Sequence, residues 1–385
     1  MNKYAILTFH DARNYGAVLQ AFALQTVIKE KGYHSEFLRY YDKNYIGSSK
    51  RSHSLADIYK LLKNNNFNIY SYVRTYRIKN EVNKQFEIFR KAYMVLSENA
   101  YFTDDDLYKA NIEYHGFICG SDMIWSDIGQ NLDVFFLSFA DSKKRISYAP
   151  SITGTDNLDE TEHIKMKDRI NGIRFLSCRE QAGVDYIKKT ADKSATLVLD
   201  PTFLLAKSDW VKYLSLEKYS SKKYILCYIF GGISKSFKIK LDKFAKKENL
   251  DIRFVPNSAN EILSEVKNGY SGMYGPREYV ELFFNAEYIV TNTFHGLAFS
   301  LIFEKNFVLL HKLKNSSMSS HEERLNNILK ICNLTNRYYS ENINFEDNFG
   351  QINYNMVTKL LNSHKVTSLN FLFNALEQVE NNKEE

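Results

Sequence analysis

Proline is scarce, four in 385 residues, and so are cysteine, also four, and tryptophan, two. Few prolines imply compact elements joined without Pro-rich linkers. The cysteines, Cys119, Cys178, Cys227 and Cys332, lie far apart and form no C-x-x-C pair, which excludes zinc-ribbon and dithiol redox motifs. Three of them fall in apolar runs that read as strands, so buried free thiols in a reducing compartment are expected rather than disulfides. No basic helix or repeated aromatic pattern marks a nucleic-acid module, and nucleic acid is not an expected partner. The longest apolar windows, such as 297–303, fall well short of the roughly 20 residues that span a bilayer. No G-x-G-x-x-G follows the first strand, so a dinucleotide cofactor is not indicated. No His, Cys or carboxylate cluster has ligand spacing, and no metal is expected. Asp104-Asp-Asp106 precedes Leu107 and reads as the acidic first turn of a helix. Met1-Asn-Lys-Tyr-Ala-Ile runs straight into a strand pattern. No signal peptide is therefore expected, and the expected location is the cytoplasm.

What is present describes a globular chain, 44% hydrophobic and 25% charged, long enough for two domains. Aromatics reach 15%, with 27 Tyr and 27 Phe, a supply for cores and for sugar-stacking surfaces. The net charge of +6 favours an anionic substrate or an anionic membrane surface.

Strand and helix patterns alternate along the chain. Tyr4 to Phe9 reads as a strand, His10 to Gly16 as a polar loop, Ala17 to Lys31 as a helix stopped by Gly32, and Ser35 to Tyr40 as a second strand. This is a βαβ opening. In its loop Asn14, Tyr15 and Gly16 are candidate ligand-approach residues, because glycine admits close backbone contact. The stretch 42–95 reads as a polar loop followed by a helical insertion. Phe117 to Cys119 is a buried strand ending in Gly120-Ser121-Asp122, cap-type residues at a strand-to-helix turn. Trp125 follows, and an aromatic face beside a polar loop is one way to hold a sugar. Arg179 stands at the carboxyl end of the strand pattern Phe175 to Cys178. A second run of alternation begins near Lys207. Residues 314–321 are serine-rich and read as a loop, and Val366 to Val379 reads as a last amphipathic helix.

The richest stretch runs from Arg277 to Phe303. Helical spacing over 277–286 leads into a short strand at Tyr288 to Val290. After Thr291-Asn-Thr-Phe-His-Gly296, helical period returns from Leu297. A loop that leaves a parallel strand and opens a helix is where open α/β sheets bind ligands, and its N–H groups suit phosphate or carboxylate. His295 is the side chain there that titrates near neutral pH. A histidine beside an apolar helix is also a common core residue, and at this point both roles stay open.

Six blocks, taken together and in order, resemble the polysaccharide pyruvyl transferase family: Asn14 to Gln25, Gly120 to Trp125, Ile146 to Ser151, Ser177 to Glu180, Leu199 to Leu205 and Thr291 to Gly296. The resemblance implies an α/β fold of two Rossmann-like domains facing across a cleft, GT-B-like, with a helical insertion in the first. Residues 1–205 would form the first domain, with the insertion at 42–95 on the acceptor side. Residues 206–345 would form the second, donor-side domain, and 346–385 a helical segment packing back. It implies phosphoenolpyruvate as donor substrate, with no other cofactor. The acceptor would be a sugar of a lipid-linked or polymeric glycan and the product a cyclic ketal, made in the cytoplasm with peripheral contact at the inner membrane face. His295 and Arg179 would be catalytic. Asn14, Tyr15, Gly16, Gly120, Ser121, Asp122, Trp125, Asn292, Thr293, Gly296 and Arg324 would bind donor or substrate. Some family members resemble Arg-x-His at this loop, with the arginine as a donor-binding group, where this chain has Thr293; Arg277, Arg324 or Arg337 would be the candidates to compensate. Two other readings fit the same residues. One is a GT-B glycosyltransferase using a sugar nucleotide, and the other is a non-catalytic glycan-assembly protein.

Overall fold

The computed structural model describes residues 3–41, 69–126, 130–155, 158–219, 222–257, 272–311 and 319–381, with 261, 262, 265 and 269 besides. Residues 42–68, the first half of the expected 42–95 insertion, much of the 314–321 loop and the side chains of Tyr70 and Tyr72 lie outside them. The chain forms two compact units, Met1–Asp200 with Leu369–Glu385, and Pro201–Ser368.

In the first unit β1 (Lys3–Leu7), α1 (Tyr15–Glu30) and β2 (His34–Tyr40) are followed by α2 (Ile69–Tyr93), β3 (Leu96–Tyr101), α3 (Asp104–Glu113) and β4 (Gly116–Cys119). Then come the short α4 (Leu132–Phe135), β5 (Arg145–Ser147), α5 (Glu160–Asn171), β6 (Ser177–Cys178), α6 (Gln181–Ala191) and β7 (Thr196–Leu197). The sheet order is β3-β2-β1-β4-β5, all parallel, and β6 pairs with β7 beside it. Leu, Ser, Glu, Asn, Ala and Tyr of β3 give no strand pattern, because an edge strand needs no continuous apolar run. Helix α1 is buried on nearly every face, which explains its lack of amphipathic character. The three aspartates that open α3 are a helix start: Thr103 and Asp106 cap each other reciprocally.

In the second unit α7 (Lys207–Leu214), β8 (Tyr224–Tyr228), α8 (Lys235–Lys247) and β9 (Asp251–Phe254) precede α9 (Pro276–Asn285), β10 (Tyr288–Thr291), α10 (Phe294–Ile302), β11 (Asn306–Leu309), α11 (Ser319–Ile331) and α12 (Tyr354–Asn381). The parallel sheet runs β11-β10-β8-β9. Ile225, Cys227, Leu241, Phe244, Val290 and Val308 fill its core, each large aliphatic or aromatic contributing roughly 1.5–3 kcal/mol by burial. Helix α12 is twice the expected length and contains the division between the units at Ser368.

Strand order fixes where ligands can approach. In the first unit the chain moves outward from β1 through β2 to β3, and then from β4 to β5 on the other side. In the second it moves from β8 to β9, and then from β10 to β11 on the other side. The loops after β1 and β4, and after β8 and β10, therefore part in opposite directions and leave a crevice at the strands' carboxyl ends. All four cysteines are buried and free, three of them in β4, β6 and β8. Among the described residues no helix is long and apolar enough to cross a membrane.

Candidate functional site

At the switch point of the second unit two loops are tied together. The carboxamide of Asn292, just after β10, brackets the backbone of Phe230, just after β8. Its Oδ1 accepts from Phe230 N at 2.8 Å and its Nδ2 donates to Phe230 O at 2.8 Å. Asn257 adds a third tie, donating to Ile229 O at 3.1 Å. The β8 loop then turns through Gly231 and Gly232, whose φ values of +83° and +79° side chains rarely adopt, and a Cβ at either would meet open space. Ser234 caps α8 by accepting from Phe237 N at 3.2 Å. Phe230, 36% exposed, leans on Tyr228 with ring centroids 5.4 Å apart. Two capped helix N-termini, an open glycine turn and an exposed aromatic thus share one crevice.

The β10 loop is rigid for local reasons. Thr291 Oγ1 donates to Tyr228 O at 2.6 Å and receives the N–H of Thr293 at 3.1 Å. Thr293 is the N-cap of α10, its hydroxyl accepting from Gly296 N at 3.0 Å. Gly296 must be glycine: a Cβ there would lie 2.1 Å from Thr291 Oγ1 and 2.6 Å from Thr293 Oγ1. His295, the second residue of α10, is half-buried with its ring edge-on to Phe294, 5.2 Å between centroids. Asn292, Thr293, His295 and Gly296 are therefore brought together. Thr293 works as the helix cap.

The loops of the first unit are tied in the same way. Thr8 Oγ1 donates to Ser121 O at 2.9 Å and accepts from Gln20 of α1 at 2.9 Å. A Cβ on Gly120 would crowd Thr8 at 3.0 Å. Asp122 sits at φ 76°, ψ −170°, a conformation otherwise nearly confined to glycine and costing about 1–3 kcal/mol. What holds it there is a buried polar cluster. Asp122 accepts from Met123 N at 2.9 Å through its side chain and from Ser151 N at 2.8 Å through its backbone. Ser121 Oγ donates to Asp200 at 2.9 Å. Arg179 donates to Asp200 at 2.9 Å and Glu180 at 2.7 Å, with Asp122 at 3.6 Å. Burial alone would push the Arg179 guanidinium down, but the three carboxylates outweigh it and hold it above its ordinary value.

Three expected side-chain roles are corrected by this packing. Arg179 is 3% exposed and surrounded by three carboxylates, so it braces the strained Asp122 turn and does not present a cationic clamp to a donor anion. Trp125 is 1% exposed, stacked on Phe136 at 4.1 Å with its N–H donated to Phe135 O; it is core and not a sugar platform. Tyr15 is buried against Phe86 at 5.1 Å. Asn14 caps α1, accepting from Ala17 N at 3.2 Å, with Gly16 buried in its first turn. The cations expected to substitute at Thr293 have structural work. Arg277 holds Leu214 O, Ser215 O and Glu281, and Arg337 holds Gly350 O and Gln351 O. Arg324 is buried in α11.

Sequence patterns did not single out His10. It stacks on Phe37 at 5.0 Å in the loop after β1, and its Nδ1 lies 3.1 Å from Thr8 O. Burial pushes its pKa down to about 4. The bracketed Phe230–Gly232 turn was visible only as a strand end.

A family model described as polysaccharide pyruvyl transferase matches residues 14–310. Among curated proteins none matches this sequence. Among solved structures, the UDP-GlcNAc 2-epimerase of Methanocaldococcus jannaschii superposes with a TM-score of 0.50 at 10% identity, covering 94% of this chain and 92% of that one. The S. aureus MnaA–UDP co-structure gives 0.47 at 10%, covering 96% and 90%. A putative UDP-N-acetylglucosamine 2-epimerase from Listeria monocytogenes gives 0.48 at 7%, covering 98% and 89%. At such identity the Methanocaldococcus likeness, with the family model, establishes the fold alone, a GT-B-like two-domain α/β architecture. The expectation of phosphoenolpyruvate as donor and a cyclic ketal as product is corrected here. The solved structure that superposes at 0.50 along almost the whole chain is of a UDP-GlcNAc 2-epimerase, and the arginine assigned to the donor anion is occupied by carboxylates.

Proposed function

The chain belongs to the polysaccharide pyruvyl transferase family, and from that premise we propose that it is a GT-B-fold enzyme of cell-envelope polysaccharide assembly that takes a sugar nucleotide as donor and transfers the sugar. Membership supports a glycan setting; the chemistry belongs to the site. The observation that carries the reading is the bracketed crevice between β8 and β10, with its open Gly231-Gly232 turn and the N-termini of α8 and α10. Helix N-termini and glycine turns accept a diphosphate through backbone N–H groups, with no need of an arginine. They also stabilise the negative charge that grows on the diphosphate as the glycosidic bond breaks. Phe230 supplies a π-face for the base or sugar. His295, fixed in the first turn of α10, is the group to take the proton of the attacking hydroxyl.

The test is to incubate the protein with UDP-, CDP- and ADP-linked sugars and envelope-glycan acceptors and to follow nucleoside diphosphate release. Acceptor-dependent release is expected, falling roughly 100- to 10,000-fold in His295→Ala. Consumption of none of the sugar nucleotides, with phosphate released from phosphoenolpyruvate instead, would overturn the proposal.

A further inference from the structure

A second pocket lies in the same unit, at the other end of α10. Its volume is ≈ 670 Å³, within the ~300–1,000 Å³ of small-molecule sites. Leu301 and Ile302, which end α10, help form it, roughly 10 Å along the helix from His295 at 1.5 Å per residue. The floor is apolar: Phe203, Leu205, Val211 and Leu361 join those two. The rim is cationic, with Lys207 and Lys212 from α7 and Lys365 from α12. The single carboxylate on it, Glu304, is taken by Lys207 at 2.5 Å.

The α7 helix begins at this rim. Its N-cap is Ala206, whose backbone N–H donates to Asp209 Oδ2 of the first turn at 2.7 Å. Lys305 is pushed down to about 8 by burial and by Lys218 and Lys207, and Lys218 is lowered by burial and by Lys207. A hydrophobic trough beneath a lysine rim is complementary to one kind of molecule.

We propose that this pocket binds an anionic amphiphile, a hydrocarbon chain ending in a phosphate ester, with the chain on the Leu205, Leu301 and Leu361 floor and the phosphate at the rim lysines Lys207, Lys212 and Lys365. The site is separate from the β8–β10 crevice and does not depend on the reading of that crevice. It would give the protein a grip on a lipid-borne phosphate.

The experiment titrates the full chain with hexyl, octyl and decyl phosphate below their micellar concentrations. Decanol, inorganic phosphate and phosphatidylglycerol vesicles serve as separate arms. Affinity should rise roughly fourfold per methylene until the trough is full. Decanol should bind at least tenfold more weakly than decyl phosphate, and inorganic phosphate should not compete at equal concentration. Lys212→Gln should weaken decyl phosphate several-fold without changing the chain-length slope, whereas Leu361→Asp should abolish that slope. Each variant's melting temperature confirms that it is folded, and Lys212→Gln, a partly exposed rim change, serves if Leu361→Asp does not fold. Equal affinity across chain lengths, equal binding of decanol, displacement by inorganic phosphate, or binding to vesicles without binding to the monomeric amphiphile would each overturn the proposal.

Discussion

Replacing Arg179 by methionine, which keeps length and removes charge, tests what the buried cluster of the first unit does. In the native protein the guanidinium lies 2.9 Å from Asp200, 2.7 Å from Glu180 and 3.6 Å from Asp122, with side-chain exposures of 1% for Arg179 and 0%, 6% and 14% for the carboxylates. Removing the one cation leaves Asp200 charged with no exposure to water. Breaking a buried pair in this way costs about 3–5 kcal/mol, a large share of the roughly 5–15 kcal/mol of a typical domain. For a unit of this size that corresponds to a fall in melting temperature of about 6–20 °C. The assay has a natural reporter, because the two tryptophans divide between the units, Trp125 in the first and Trp210 in the second. In a Trp210→Phe background, denaturant unfolding followed by Trp125 fluorescence reads the first unit. The loss should shrink as pH falls, since an unpaired buried carboxyl takes up a proton more readily folded than unfolded and the variant then gains stability toward acid. Adding Asp200→Asn should restore part of the loss at neutral pH. A variant within about 0.5 kcal/mol of wild type at every pH would refute the bracing role. A variant of normal stability that had lost ligand affinity would return Arg179 to the binding machinery.

Three further outcomes are expected. Gly296→Ala drives a methyl into the Thr291 and Thr293 hydroxyls and should cost about 1–3 kcal/mol, read from Trp210 fluorescence in a Trp125→Phe background; an unchanged midpoint would contradict the packing of that turn. His10, buried and pushed down to about 4, stays neutral in the folded chain while the unfolded chain protonates near 6.5. Its contribution is therefore intact above pH 6.5 and lost as pH falls toward 4, on the order of 3 kcal/mol in all. His10→Phe should flatten that acid limb of the stability curve, and an unaltered limb would show that His10 does not set it. His295→Ala should keep nucleotide affinity and melting temperature while losing turnover; loss of both together would make His295 a structural residue.

Much of the site's local chemistry could be read from residue types. Thr291 to Gly296 carries a cap, a small residue and a titratable ring between a strand and a helix pattern, and the structure forms that strand, cap and helix. Asp104 to Asp106 declared a helix start by charge alone. What escaped depends on long-range placement. The importance of Phe230, Gly231 and Gly232 comes from β8 lying beside β10, more than 60 residues apart in sequence, which no local window contains. Trp125 follows a polar loop in sequence, but the 3₁₀ turn from Met123 to Trp125 aims it at Phe136 and the core. Arg179 stands at a strand's carboxyl end, where a ligand arginine could stand too. Only the convergence of Asp122, Glu180 and Asp200 tells the two roles apart. The polar edge strand β3 carries too few apolar positions to announce itself.

The central claim is that the β8–β10 crevice binds a nucleoside diphosphate, and calorimetric titration with UDP, CDP and ADP tests it most directly. The account predicts one site per chain for at least one of the three, with affinity reduced tenfold or more by Gly231→Val, which cannot hold a φ of +83° without strain, and by Asn292→Ala, which unties the two loops. Absence of binding by all three at millimolar concentration, or unchanged affinity in both variants, would contradict it.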